Sequence, residues 1–259
     1  MNTAWFYGMI SSINIRKDGD GMNSLLHDLL ADRTGGAVFR CFGPWHFFWI
    51  ALAAVVFALA VKRPKRMPER LTDLAFGLYI LDFFLMPLAY GEIDIEKLPF
   101  HACTAMCVMV FLSRRVKALE GFRAAFALLG FLSNFVYLLY PAGVMWHGVH
   151  PLTYRVIQTL GFHALMSAGC LSALLFEGGL DQWKRHLAVV AGMTLWAMLG
   201  NWVYNSETRI YNWFFVVRDP FGILPVEIAP FVMPFVNILL FFAAGMAVCK
   251  LIREVRHAL

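Results

Sequence analysis

Seven apolar runs, each close to bilayer length and parted by short polar connections, leave this chain few possible folds. A helix that crosses the hydrocarbon core needs about 20 mostly apolar residues. The runs Phe42–Val61, Leu71–Tyr90, Pro99–Leu112, Phe122–Tyr140, Tyr154–Phe176, Leu187–Tyr204 and Pro225–Leu251 meet or approach that length. Of the 259 residues 60% are hydrophobic and 15% charged, whereas a soluble domain carries about 25% charged residues. The expectation is an all-α polytopic membrane protein. An N-terminal tail over residues 1–41 precedes a single bundle of about seven transmembrane helices over residues 42–259. The sequence shows no internal repeat, low-complexity tract or soluble domain.

The basic residues orient that bundle. Alternate connections hold Lys62, Arg63, Lys65, Arg66 and Arg70; then Arg114, Arg115, Lys117 and Arg123; then Lys184 and Arg185; and the C-terminal end adds Lys250, Arg253 and Arg256. The opposite connections hold Lys97, Arg155, Arg209 and Arg218. Lys and Arg collect on the cytoplasmic side, so the predicted N-terminus is outside and the C-terminus cytoplasmic. Arg16, Lys17, Arg33 and Arg40 in the tail run against this without reversing it. The net charge of +5 is spread between apolar runs, so its partner is anionic lipid rather than nucleic acid. The first 21 residues lack the apolar core and cleavage site of a signal peptide. "GDGMNSLLHDLLADR" reads as a start at Met22 followed by a short amphipathic helix on the outer surface.

Polar residues inside the runs share one side of the membrane. At about 1.5 Å of rise per residue, Asp82 lies about 12 Å from the outer end of its segment, Cys103 about 6 Å, Asn134 about 10 Å and His163 about 14 Å. His46, Asn201, Asn205 and Glu227 fall near the same outer ends, and only Asn237 and a few Ser and Thr approach the inner half. Thr159, His163, Ser167 and Cys170 form one helical stripe; Gly130, Asn134, Tyr137 and Pro141 form a second; Thr194, Met198, Asn201 and Asn205 form a third. Ionisable groups are costly in hydrocarbon and tolerable when they meet. The pattern implies a polar cavity opening outward, against the alternative of a buried hydrogen-bond cluster that only joins helices. Pro230 and Pro234 predict a kink in the last segment near Glu227.

The stretch "KLPFHACTAMCVMVFLSRR" starts a segment with a proline, a histidine and a cysteine. Pro99 suits a first helical position, which places His101 in the first turn, as a cap or facing the headgroups. Cys103, just beyond, feels the positive end of the helix dipole, which favours a thiolate. His163 is the histidine at the best-matched depth to serve as its base. The other cysteines are Cys41, Cys107, Cys170 and Cys249; without CxxC spacing they imply no disulfide or metal framework. His147 and His150 give two ligands and no third, so no metal is assigned. No cofactor motif occurs: glycine-rich phosphate loop, HExxH helix and GxSxG elbow are all missing.

"LPFHAC", "NFVYLLYP" from Asn134, "GFHALMSAG" around His163 and "GNWVYNSETRIYNWF" from Gly200 resemble the YwaF-like bacterial membrane proteins. Those belong with the eukaryotic transmembrane protein 164 type. The resemblance runs from about His46 to the last segment. It implies seven helices, a bacterial cytoplasmic (inner) membrane location and, in the eukaryotic branch, an acyltransferase that moves fatty acyl groups between membrane lipids with a cysteine and a histidine. His163 matches the histidine. The family's cysteine lies beside the third segment's histidine, where this chain has Phe100, and the cysteine proposed here is Cys103. On this reading Cys103, His163 and Asn134 are catalytic. His46, Asp82, His101, Tyr137, Asn201, Asn205 and Glu227 line the binding cavity, without metal or cofactor. A small-solute or proton-coupled transporter, or a non-catalytic binding protein, would use the same cavity.

Overall fold

The computed structural model describes residues 38–63, 66–90, 95–141 and 149–258. The expected surface helix of the tail, the start at Met22 and His147 lie outside them. Seven helices of 12 or more residues occur among the described residues, with no strand. They are α1 Pro44–Lys62, α2 Met67–Tyr90, α3 Ala102–Ser113, α4 Arg123–Leu139, α5 Tyr154–Phe176, α6 Trp183–Tyr204 and α7 Ala229–Ala258. Each occupies one of the seven apolar runs. α1, α5, α6 and α7 are long and apolar enough to cross a membrane, whereas α3 and α4 are shorter.

Helix ends depart from the apolar runs for identifiable reasons. α2, α6 and α7 continue through Met67–Arg70, Trp183–His186 and Ile252–Ala258, because Glu, Arg and Lys are good helix formers outside hydrocarbon. α3 begins at Ala102, not at Pro99. The Phe100 amide turns back to the Leu98 carbonyl at 2.7 Å, and the Trp196 indole N–H holds the Pro99 carbonyl at 2.7 Å. His101 is therefore the extended residue before the helix (φ −80°, ψ 144°), and its side chain makes no capping bond. α7 begins at Ala229, so Glu227 precedes it. Pro230 falls in the first turn, where a missing amide costs nothing, leaving only Pro234 inside the helix.

α5 is the centre, with 78% of its most apolar stretch buried against 17% for α1 and 22% for α7. It packs on α1, α2 and α4, and α4 in turn meets α3 and α6. Small residues set the close approaches. Gly169 of α5 faces Thr72 and Leu71 of α2, and Gly245 of α7 faces the His186 ring. Such positions let helices pack backbone to backbone.

Contacts among the described residues give the bundle two unlike ends. At one, Arg114 reaches Thr72 and Glu177, Arg115 pairs with Asp73 at 2.8 Å, and Arg185 binds the Gly121 carbonyl. This is the basic end. It also carries the buried Thr72, Ser113 and Ser172, in line with the few Ser and Thr expected toward this half, and one group the depth pattern did not foresee, His186. His186 escaped because it lies in the turn of α6 that precedes the apolar run. The opposite end holds the N-termini of α1, α3, α5 and α7.

Candidate functional site

A buried carboxylate must find a cation or neutralise itself. Asp82 on α2 is 1% exposed, and Lys97 reaches its Oδ2 at 2.7 Å. Lys97 ends the helical turn Ile95–Lys97, and its carbonyl accepts the Tyr79 hydroxyl at 2.8 Å. The Tyr154 hydroxyl neighbours Asp82. The Lys97 ammonium is within electrostatic reach of His101, Cys103 and His163. Four elements, α2, the turn Ile95–Lys97, the start of α3 and α5, thus converge at the end of the bundle opposite the basic one.

His163 is 5% exposed and stacked on Tyr137 of α4, ring centres 3.9 Å apart and planes 12° apart. Its Nδ1 lies 2.6 Å from the Thr159 carbonyl. A carbonyl can only accept, so Nδ1 carries the proton and Nε2 presents a lone pair. Nε2 has no hydrogen-bond partner among the described residues. Two further buried atoms on the α4–α5 seam share that condition, Asn134 Oδ1 and Ser167 Oγ. Asn134 donates from Nδ2 to the Gly130 carbonyl at 2.8 Å, so its unpartnered atom is an acceptor. One turn away Gly130 lies against the Cys170 sulfur. The stripes of α4 and α5 therefore face each other along several turns.

Cys103 is the second residue of α3 and half-buried, while Cys107 and Cys170 are fully buried. The first intrahelical bond runs from the Ala105 N–H to the His101 carbonyl at 2.9 Å. The amides of Ala102, Cys103 and Thr104 precede it and have no helical acceptor. His101 is half-exposed beside them.

A different Cys–His contact is present. Cys41 Sγ lies 3.7 Å from His46 Nδ1. Yet His46 accepts the Phe42 N–H at Nδ1 (2.9 Å) and donates from Nε2 to the Leu138 carbonyl (2.9 Å). Both nitrogens are committed to backbone, which leaves no base. Burial also pushes the Cys41 thiol up. The ring pins the start of α1 to the end of α4.

Asn201 and Asn205 are likewise committed to backbone. Asn201, 2% exposed, receives the Trp213 N–H on Oδ1 and donates to the Trp213 carbonyl, both at 3.1 Å. Asn205 does the same with Tyr211, at 2.7 and 3.2 Å. Asn237 of α7 donates to the Phe214 carbonyl, which ties it to this loop rather than to the inner half. The clamps hold Phe214 and Phe215 at φ 54°, a left-handed conformation costing about 1–2 kcal/mol per residue. Asn201→Ala is expected to lower stability by about 1–3 kcal/mol, because the buried Trp213 amide and carbonyl lose their partners. Thermal unfolding in detergent measures it, and an unchanged midpoint would leave the clamp without energetic weight. Glu227 is exposed in the turn before α7.

Sequence reasoning assigned no site role to Lys97, Tyr79 or Tyr154. The available signal was the buried Asp82 itself, which demands a cation, and Lys97 is the lysine of the connection that follows. Among the described residues no three His, Cys, Asp or Glu side chains gather as metal ligands. His150 accepts the Leu152 N–H in a turn. No known protein family, curated protein or solved structure matches the chain.

Proposed function

We propose that this chain is a seven-pass protein of the bacterial inner membrane, N-terminus outside and C-terminus cytoplasmic, that transfers acyl groups between membrane lipids. The orientation is supported by the gathering of Arg114, Arg115, Arg123, Arg185, Arg253 and Arg256 at one end, since such residues are retained in the cytoplasm. A C-terminal alkaline phosphatase fusion is expected to be inactive and a C-terminal fluorescent fusion bright; the reverse pair would overturn the orientation.

The observation that carries the chemistry is His163, a buried ring fixed by Thr159 and Tyr137 with its Nε2 lone pair unengaged. In the proposed reaction Nε2 takes the Cys103 thiol proton, and the sulfur attacks a phospholipid ester carbonyl. The C–O bond breaks, the departing oxygen regains the proton from His163, and a thioester remains. An acceptor hydroxyl then gives its proton to Nε2, attacks the thioester and releases the thiol. The first amides of α3, which have no helical acceptor, suit the oxyanion; one such donor is worth about 10²–10³-fold. Asn134 offers an acceptor and suits a substrate hydroxyl. Lys97 and Asp82 keep the site neutral overall. An outward site excludes cytosolic acyl-CoA, so the donor is a lipid of the outer leaflet.

A second reading draws on the buried Asp82–Lys97 pair with Tyr154 and His163 nearby, groups that also make a proton path in transporters. Cys103→Ser separates the two. In liposomes holding a phospholipid with a labelled acyl chain, it is expected to abolish label transfer. Transfer at the parent rate would remove the nucleophile and leave the transport reading ahead.

A further inference from the structure

We propose that the loop Asp219–Pro225 is a membrane anchor that buries Phe221 and Ile223 in the lipid leaflet at the end of the bundle opposite the basic one. The argument starts from the backbone. A segment that leaves water must satisfy each amide within itself. Pro220 and Pro225 have no N–H. Phe221 donates to Asp219 Oδ1 at 2.8 Å; Ile223 and Leu224 donate to Oδ2 at 2.7 and 2.9 Å; Gly222 donates to the Asp219 carbonyl at 3.3 Å. From Pro220 to Pro225 no amide is left over. The turn that allows this needs a left-handed residue, and Gly222 supplies it at φ 68°.

Asp side chains also bind turn amides in water, so the backbone makes burial possible and the side chains displayed call for it. Phe221 is 79% exposed and Ile223 80%. Residues 220–226 carry no charge. Asp219 binds three amide protons, which hold its carboxyl below the usual range. Beyond the exposed Glu227 an apolar surface resumes on α7 through Ile228, Phe231, Phe235 and Leu239, all exposed. That is the outward face of a helix built to cross a membrane, so the covering of the loop is the same lipid. The apolar tip and polar flanks, Arg218 and Glu227, match an interfacial element rather than a spanning one.

The test places a nitroxide at Ile223→Cys and, separately, at Glu207→Cys in the exposed turn of the same connection. The full chain sits in nanodiscs of phosphatidylcholine and phosphatidylglycerol, with the identically treated parent as background. Collision with oxygen relative to a nickel chelate is expected to be severalfold higher at 223 than at 207. Asp219→Ala on the 223 background is expected to lower the ratio toward that of 207, as released amides draw the loop into water. Equal ratios at the two positions would overturn the anchor. An unchanged ratio in Asp219→Ala would remove the backbone argument and the proposal with it. Spin–spin broadening that vanishes on dilution with unlabelled chain would make this a self-association face, and would also overturn it.

Discussion

His163→Phe is expected to lower acyl transfer by about 10²–10⁴-fold with a stability change within about 1.5 kcal/mol. The substitution separates packing from chemistry. A phenyl ring preserves the stack on Tyr137 and the fill between α4 and α5, while both nitrogens disappear. The Thr159 carbonyl keeps a partner, because the backbone N–H of His163 lies four residues on within α5. What is lost is the lone pair of Nε2. Transfer of a labelled acyl chain between phospholipids in liposomes, with thermal unfolding beside it, gives both readouts. Parent-level transfer would leave Nε2 without a role. Loss of transfer with collapse of the fold would point to packing instead.

Two alanine substitutions in α6 are expected to act in opposite directions. A Cβ at Gly200 would come within 2.4, 2.6 and 2.8 Å of three Phe100 ring atoms. Phe100 has nowhere to retreat: Trp196 and Trp213 lie 4.9 and 4.8 Å from its centre, and Gly200 is the wall between. Overpacking of this kind costs about 1–3 kcal/mol. At Gly192 the added methyl meets nothing within 4 Å, so Ala should stabilise the helix by about 0.5–1 kcal/mol through backbone entropy. Thermal unfolding in one detergent compares them. Stabilisation by both would mean that Phe100 does not fill the space beside Gly200, and Phe100→Leu should relieve Gly200→Ala if it does.

The helical segments were legible because a bilayer imposes a length and a polarity on anything that crosses it. Tyr154–Phe176 was read to the residue, since apolar run and helix coincide there. Elsewhere the bounds moved: α2, α6 and α7 overran the apolar stretch at one end, α1, α4 and α7 started after its first residue, and α3 started late because an indole from α6 captured the Pro99 carbonyl. Such a capture depends on a residue about a hundred positions away and leaves no local trace. The pairing of His163 with Tyr137 was foreseeable from two stripes of spacing three and four. The duties of Asn201, Asn205 and His46 were not. An amide or imidazole near a helix end reads equally as a ligand-binding group or a backbone clamp, and only the loop's path decides. Lys97 was visible as a charge, but its partner was not, because periodicity along a helix says nothing about what crosses between helices.

The ion pair between Asp82 and Lys97 has a consequence for biosynthesis. A carboxylate at the centre of a helix opposes partitioning from the translocon by about 2.5–3.5 kcal/mol, and α2 is not among the four helices apolar enough to cross by themselves. Lys97 follows α2 on the connection to α3. Until that lysine has left the ribosome, α2 carries the Asp82 charge uncompensated; afterwards the pair can form and the carboxylate no longer faces lipid alone. On the seven-pass reading, commitment of the second helix to the bilayer would wait on a residue beyond its own end.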